Sequence, residues 1–262
     1  IDEKSLRELG QWPWPRTYLA DIVTKLTDRG AAVIAFDAIF PEADRLSPAA
    51  ASQSFRNLDE ATREKLQQLP DNDEALADAM HASRVVVGQS ALAVATSLAA
   101  SKATMGIAAF GDPKPFLLSY PGLLRNISVL EDAAAGRGVF TIRNERDGIV
   151  RRVPLVMDAQ GETRPSLAFE MLRVATGAST ILIRSSEAGI ESVAIPGSKV
   201  LTDRNGQFWV RFRRHDPSLY ISAVDVLHGR VDAAAIKDKL IIVGTSAVGL
   251  LDVKTTPIDA AM

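Results

Sequence analysis

Cysteine is absent from this 262-residue sequence, and histidine occurs only three times. Without cysteine the chain can form no disulfide, no thiolate nucleophile and no cysteine-based metal site. The histidines are His81, His215 and His228, and no two of them are spaced as the ligand pair of a helical zinc site. The sequence therefore predicts no catalytic residue, no metal site and no cofactor.

Long hydrophobic runs are also missing. The longest uncharged stretch, residues 85–101, contains glycine, glutamine, serine and threonine, which dilute its apolar character below that of a membrane span. The chain begins at Ile1 and has no basic segment followed by an apolar one, as a signal peptide would have. We therefore expect an excised part of a longer protein.

Neither sign of charge dominates. Lysine and arginine total 30 against 32 aspartates and glutamates, so the net charge is −2. This balance gives no broad electrostatic attraction for polyanions, and nucleic acid is not expected as a partner. With 47% hydrophobic and 24% charged residues, the composition is typical of a packed globular protein.

The two ends of the sequence alternate helix and strand patterns. Apolar residues recur at helical spacing from 19 to 26, and Gly30 is placed to end that helix. Short continuous apolar runs at 32–36, 85–88 and 240–243 are typical of strands that are buried on both faces.

The middle of the sequence, residues 115–215, shows strand and turn signals instead. Asp147-Gly148 and Asn205-Gly206 are dipeptides that suit tight hairpin turns. A helix over 166–176 interrupts this section. Phe208, Val210 and Phe212 alternate with Trp209, Arg211 and Arg213. This alternation predicts a strand over 208–213 with one buried and one exposed face.

These signals together predict an α/β fold, with a mixed sheet, flanking helices and an antiparallel strand-rich middle section. We expect a single domain over residues 1–262. Its α/β frame is predicted to comprise residues 1–110 and 220–262, and its strand-rich middle to comprise residues 115–215.

Polar residues follow two of the predicted buried strands. Asp37 comes directly after the first strand, and Thr245, Ser246 and Asp252 follow the last one. Ligands usually bind in the crevice formed by the loops after parallel strands, so we predict that these side chains bind a ligand. A structural role stays open, in which Asp37 caps the following turn and the two hydroxyls satisfy backbone groups.

Three arginines are candidates for the same crevice. Arg16 precedes the first helix and is predicted to pair with Asp37 or Asp252, so it completes the tentative ligand-binding set. Arg151 and Arg152 fall in a strand predicted over 150–157, where successive side chains point to opposite faces. At most one of these two is therefore expected to face a shared site, and the other is expected in solvent.

Residues 244–249 read Gly-Thr-Ser-Ala-Val-Gly and match neither the P-loop nor the nucleophile elbow. Leu250 and Leu251 stand where a P-loop has its lysine and its hydroxyl residue. No glycine stands two residues beyond Ser246, and no histidine follows it to complete a hydrolase triad. The acidic pair Asp71 and Asp73 suits a helix start better than acid–base catalysis.

A set of motifs spread over almost the whole chain resembles the type-2 CHASE domain, the second class of cyclase/histidine-kinase-associated sensory extracellular domains. The motifs surround the first buried strand, the Asp-Gly turn and the last buried strand. The residues that carry the resemblance are Trp12, Pro13, Trp14, Arg16, Phe36, Asp37, Phe40, Asp147, Gly148, Arg151, Arg152, Gly244, Thr245, Ser246, Ala247, Asp252 and Pro257.

This resemblance implies the extracytoplasmic, periplasmic input domain of a bacterial inner-membrane receptor, tethered through flanking membrane helices. It implies a separate output domain, such as an adenylate or guanylate cyclase or a histidine kinase, and no enzymatic activity in this chain. The implied partners are an unidentified small molecule or envelope ligand and a second copy of the receptor. It does not imply what the ligand is.

Two other classes of protein stay open. A free-standing periplasmic small-molecule-binding protein would need two comparable lobes and a hinge, whereas the sequence shows one frame around a strand-rich middle. An envelope hydrolase would need a nucleophile or a metal set, and the residues above supply neither.

Overall fold

The computed structural model describes residues 1–97, 104–250 and 254–258. Its helices are α1 (Glu3–Leu9), α2 (Arg16–Asp28), α3 (Pro48–Ser54), α4 (Glu60–Gln67), α5 (Asn72–His81), α6 (Ser128–Ala133), α7 (Leu167–Thr176) and α8 (Ala223–Leu227). Within these ranges, no helix has the length and apolar character that crossing a bilayer requires.

The strands form a main five-stranded sheet, a second four-stranded sheet and two smaller ones among the described residues. They are β1 (Val33–Phe36), β2 (Val85–Leu92), β3 (Gly106–Phe110), β4 (Ser119–Tyr120), β5 (Gly122–Leu124), β6 (Gly136–Val139), β7 (Arg152–Pro154), β8 (Val156–Ala159), β9 (Glu162–Pro165), β10 (Thr180–Ser186), β11 (Gly189–Ile195), β12 (Ser198–Leu201), β13 (Gln207–Trp209) and β14 (Leu240–Val243).

The main sheet has the strand order β14-β1-β2-β5, and β6 also pairs with β2. β1 lies parallel to β14 and β2, β6 lies parallel to β2, and β5 lies antiparallel to it. This arrangement confirms the predicted α/β fold and the predicted strands at 32–36, 85–88 and 240–243. β2 continues to Leu92 because its last residues pair with β5, which lies about thirty residues further along the chain.

Helices cover both faces of the main sheet. Val33 and Ala35 of β1 pack against α7 on one face, and Ile34 and Phe36 pack in the larger core with α2 and α5 on the other. Every side chain of β1 is therefore buried, which explains its continuous apolar sequence. α7 ends at Gly177, whose φ of 68° is in the left-handed region that ends helices.

The second sheet has the order β12-β11-β10-β3 and encloses a core of its own. Here the structure differs from the predicted division of the chain. β3 was expected in the α/β frame, yet it pairs in parallel with β10, and β5 and β6 of the predicted middle section join the main sheet. Strand partners are chosen by long-range packing, which local sequence patterns do not encode.

Two strand predictions in the middle section fail. The strand predicted over 208–213 is confirmed only as far as Trp209, and the prediction of one buried face is wrong. Phe208 is 40% exposed and Trp209 is 59% exposed, because β13 pairs with the three-residue β7 in a narrow ribbon that solvent reaches on both sides. The stretch 150–157 is divided into β7 and β8, and these two strands belong to different small sheets.

Candidate ligand-binding site

Asp37 and Gly244 are the first residues after β1 and β14, and these parallel strands end side by side. The Asp37 N–H donates to the carbonyl of Val243 (2.9 Å). A Cβ atom on Gly244 would lie 3.5 Å from the Cβ of Asp37, so the two loops leave the sheet in close contact. We call residues 37–47 the β1 loop and residues 244–250 the β14 loop.

A cavity of about 510 Å³ lies where these loops begin. Asp37, Thr245 and Ser246 line it, so the structure brings together three of the predicted ligand-binding residues. Asp252, the fourth predicted residue of this crevice, lies outside the described residues. The apolar walls of the cavity include Ile22, Leu26, Val226, Ile236, Leu240 and Ile242.

The polar end of this cavity offers one carboxylate and two hydroxyls. Asp37 and Ser246 are exposed, and Thr245 is half-buried. The Thr245 hydroxyl donates to the carbonyl of Leu250 (3.0 Å), which leaves its oxygen able to accept a hydrogen bond. The arrangement suits a ligand with an apolar body and a polar group that donates hydrogen bonds.

The β14 loop is held mainly by the N-terminal residues. The N–H groups of Ser246 and Ala247 both donate to the carbonyl of Ile1 (2.9 and 3.2 Å). The N–H of Val248 donates to the carboxylate of Glu3 in α1 (2.8 Å). Any movement of the β14 loop therefore acts directly on the start of the chain.

Arg16, the remaining predicted ligand-binding residue, does not line this cavity. Its side chain is 9% exposed, and its Nε lies 3.3 Å from Oδ1 of Asp73. Its guanidinium also stacks on Phe40 at 4.4 Å from the ring centroid. The prediction that Arg16 pairs with Asp37 or Asp252 across the crevice gives way to a buried pair with Asp73, because α2 packs on α5 and brings these two residues together.

A buried polar network surrounds this pair. The backbone N–H of Arg16 donates to Asp44 (2.8 Å), and the N–H of Asp44 donates to Asp73 (2.7 Å). Asn72 also donates to Asp44 (2.8 Å). Burial raises the pKa of Asp73 above its ordinary value, although the Asp44 N–H and Arg16 act in the opposite direction.

Asn126 is a second anchor of the β1 loop. Its Oδ1 accepts the buried N–H of Phe40 (2.8 Å), and its Nδ2 donates to the carbonyl of Gly88 in β2 (3.0 Å) and to Glu131 (3.0 Å). Sequence analysis singled out neither Asn126 nor Asp44. No local signal could have found them, because most of their partners lie tens of residues away along the chain.

The two adjacent arginines also depart from the prediction. Arg151 and Arg152 reach the same carboxylate, that of Glu145, at 3.1 and 3.0 Å. Arg151 also pairs with Asp147, and Arg152 pairs with Asp203 (both 2.8 Å). Neither arginine lines the cavity at the ends of β1 and β14. Both can reach Glu145 because Arg151 precedes β7 and does not follow the alternation of a strand.

Within residues 1–97, 104–250 and 254–258, no group of three or more His, Asp or Glu residues is placed to hold a metal ion. The family model described as the CHASE2 domain matches residues 1–262. The chain belongs to the CHASE2 family. No curated protein and no solved structure matches the chain significantly.

CHASE2 domains are sensory extracellular domains of signalling receptors. The residues that suggested the family lie in different parts of this CHASE2 domain. Trp14, Phe36 and Phe40 are buried core residues, and Arg16 belongs to the buried polar network. Arg151 and Arg152 pair with acids around the Asp147 turn. Asp37, Gly244, Thr245 and Ser246 instead line the cavity, where a ligand can reach them.

Proposed function

We propose that this CHASE2 domain is the periplasmic input of an inner-membrane receptor, and that flanking membrane helices connect it to a cytoplasmic cyclase, histidine kinase or similar output. The family match over residues 1–262 carries this proposal. In it, the domain binds a signal and has no turnover of its own. The receptor works as a homodimer, which light scattering on the protein with its membrane helices tests.

The cavity at the start of the β1 and β14 loops is the proposed ligand site. Three observations support it: the position at the carboxyl ends of parallel strands, the apolar walls, and the polar group formed by Asp37, Thr245 and Ser246. The carboxylate favours ligands that carry an ammonium or hydroxyl donor. Apolar amino acids, aliphatic amines and aromatic amines, which combine such a donor with an apolar body, therefore form the first set of compounds to test.

The proposed relay runs through the β14 loop. A ligand that contacts Thr245 or Ser246 changes which conformation of the β14 loop is populated. The N–H groups of this loop bond to Ile1 and Glu3, so the change reaches the start of the chain. Binding that favours one arrangement shifts the population of the whole domain toward it. The β1 loop, which buried side chains fix, is the static side of the site.

Thermal unfolding of the 1–262 chain with each compound tests the proposal. At a hundredfold excess over Kd, a ligand adds about 2.7 kcal/mol of stability, which raises Tm by several degrees. Asp37→Asn and Thr245→Val should each remove the shift of the active compound, and Asp21→Asn, an exposed acid on α2, should leave it intact.

A shift that survives both cavity variants would contradict the proposed site. Steady turnover of a phosphoester panel by the wild-type chain, lost in Asp37→Asn, would instead support the envelope hydrolase. Closure of two lobes around a ligand, measured by small-angle scattering, would support the free-standing binding protein.

A further inference from the structure

Residues 207–214, which we call the basic-aromatic segment, read Gln-Phe-Trp-Val-Arg-Phe-Arg-Arg. They include β13 and the irregular chain that follows it. Phe208 and Trp209 are 40% and 59% exposed although they point to opposite sides of the strand. All three arginines of the segment are exposed. Exposed aromatic rings and exposed cations therefore lie together in one short segment of the chain.

The three arginines of the segment are not held in ion pairs. In the part of the chain that the structure describes, Arg211, Arg213 and Arg214 form none. The nearby acid Asp216 accepts hydrogen bonds from the N–H and the hydroxyl of Ser218 (3.0 and 2.6 Å), which lower its pKa, and the charge of Arg213 lowers it further. The segment is thus a local positive surface on a chain whose net charge is −2.

Trp209 is held in one orientation. The guanidinium of Arg152 lies 5.2 Å from the centroid of its ring. Arg152 is itself fixed by Glu145 (3.0 Å) and Asp203 (2.8 Å). The indole is therefore presented to solvent with little freedom to lose when a partner binds.

We propose that the basic-aromatic segment binds an anionic lipid surface. Tryptophan prefers the headgroup level of membranes because its ring is apolar and its N–H still finds a hydrogen-bond acceptor. Arginine recognises phosphate groups and adds electrostatic attraction to anionic lipids. A combination of inserted apolar area and positive charge is what holds peripheral segments at a membrane.

A lipid surface explains the segment better than a soluble polyanion. A polyanion needs only the arginines, whereas Phe208 and Trp209 project from both sides of β13 and offer apolar area for insertion. The segment shares no residue with the ligand cavity, so lipid binding is independent of the proposed sensory ligand.

Co-sedimentation of the 1–262 chain with vesicles tests the proposal. The chain should bind vesicles of phosphatidylcholine mixed with phosphatidylglycerol and not vesicles of phosphatidylcholine alone, and added salt should weaken the binding. Arg213→Gln with Arg214→Gln should lower the partition coefficient roughly 30-fold at low ionic strength. Trp209→Ala should lower it about tenfold through the loss of inserted apolar area.

The matched control is the pair Phe55→Ala and Arg56→Gln. Phe55 is 57% exposed and Arg56 is exposed, so this variant removes the same kinds of group from another surface. It should bind vesicles as the wild-type chain does. Tryptophan fluorescence gives a second readout: a blue shift with anionic vesicles should disappear in Trp209→Phe, since Trp14 is buried and Trp12 already packs against the core.

Equal binding to both kinds of vesicle would overturn the proposal, and so would an equal loss in the control variant. Tight binding of polyphosphate that needs the arginines and not Trp209 would assign the segment to soluble polyanions instead. Self-association that Trp209→Ala abolishes, seen by light scattering without lipid, would assign it to a contact between copies.

Discussion

The β1 loop and the β14 loop leave neighbouring parallel strands at one end of the main sheet, yet they are held in different ways. Buried side chains from distant parts of the chain anchor the β1 loop, through Arg16, Asp73 and Asn126. The β14 loop is held by backbone groups that bond to Ile1, and its Val248 is 80% exposed.

This difference teaches where the site is rigid and where it can respond. Buried side chains that share hydrogen bonds and an ion pair define one geometry, because breaking these contacts leaves a desolvated polar group. Segments with exposed backbone hydrogen bonds and few buried contacts open at low free energy. A ligand in the cavity therefore contacts Asp37, at the start of the fixed loop, and Thr245 and Ser246, in the loop that can shift.

The largest effect is expected from breaking the buried ion pair under the β1 loop. Arg16→Ala should lower the free energy of unfolding by about 3 to 5 kcal/mol, because Asp73 is left buried and unpaired. Urea denaturation measures this. Arg63→Ala, which removes an arginine paired with the exposed Glu60, should cost less than about 1 kcal/mol. Similar losses in both variants would show that the buried Arg16–Asp73 pair stabilises the protein no more than an exposed pair does.

Asn126→Ala should lower the free energy of unfolding by about 1 to 3 kcal/mol, since the buried N–H of Phe40 loses its acceptor. Hydrogen exchange should show faster exchange at Phe40 in the variant. Asn144→Ala, at an exposed position, is the control and should change neither quantity. A protected Phe40 amide in Asn126→Ala would mean that another group holds the loop.

Acid should loosen the segment beyond the β14 loop. Ile149 and Val150 pair with Thr255 in that segment. Asp147 lies in the turn just before them, and the hydrogen bond that it accepts from Arg151 lowers its pKa from 3.8 to about 2. The stabilisation is complete above pH 3.8 and is lost as the pH falls through about 2.

Asp147→Asn lacks this pH-dependent contribution. The difference in Tm between the wild type and this variant should therefore shrink as the pH is lowered through that range. Thermal unfolding at several pH values measures it, with the exposed Asp21→Asn as the control. A difference that stays constant, or grows in acid, contradicts the predicted sign.

The smallest effect is expected in the β14 loop itself. Ser246→Ala keeps the backbone hydrogen bond to Ile1, so the free energy of unfolding should change by no more than about 0.5 kcal/mol. In the wild-type chain, the amide of Ser246 should exchange faster than that of Phe40. Slower exchange at Ser246 would reverse the assignment of the rigid and the mobile wall.

The sequence predicted the elements whose signals are local. Continuous apolar runs identified β1 and β14, helical spacing and glycine ends identified α2 and α7, and the order of the motifs identified the family. It placed Asp37, Thr245 and Ser246 in one crevice correctly, because the carboxyl ends of neighbouring parallel strands meet at the same edge. It did not predict that β3 joins the second sheet or that β13 is exposed on both faces, because both depend on pairing with a distant strand.

Arg16 shows the same limit at the level of one side chain. The sequence predicted that Arg16 forms an ion pair, but it did not determine which acid is the partner. Asp73 is the partner because α2 packs against α5. Periodicity and residue order determined the fold class and the rim of the cavity, since both depend on short stretches of chain. The tertiary structure alone decided which polar groups are buried together, because those contacts join residues that sequence distance keeps apart.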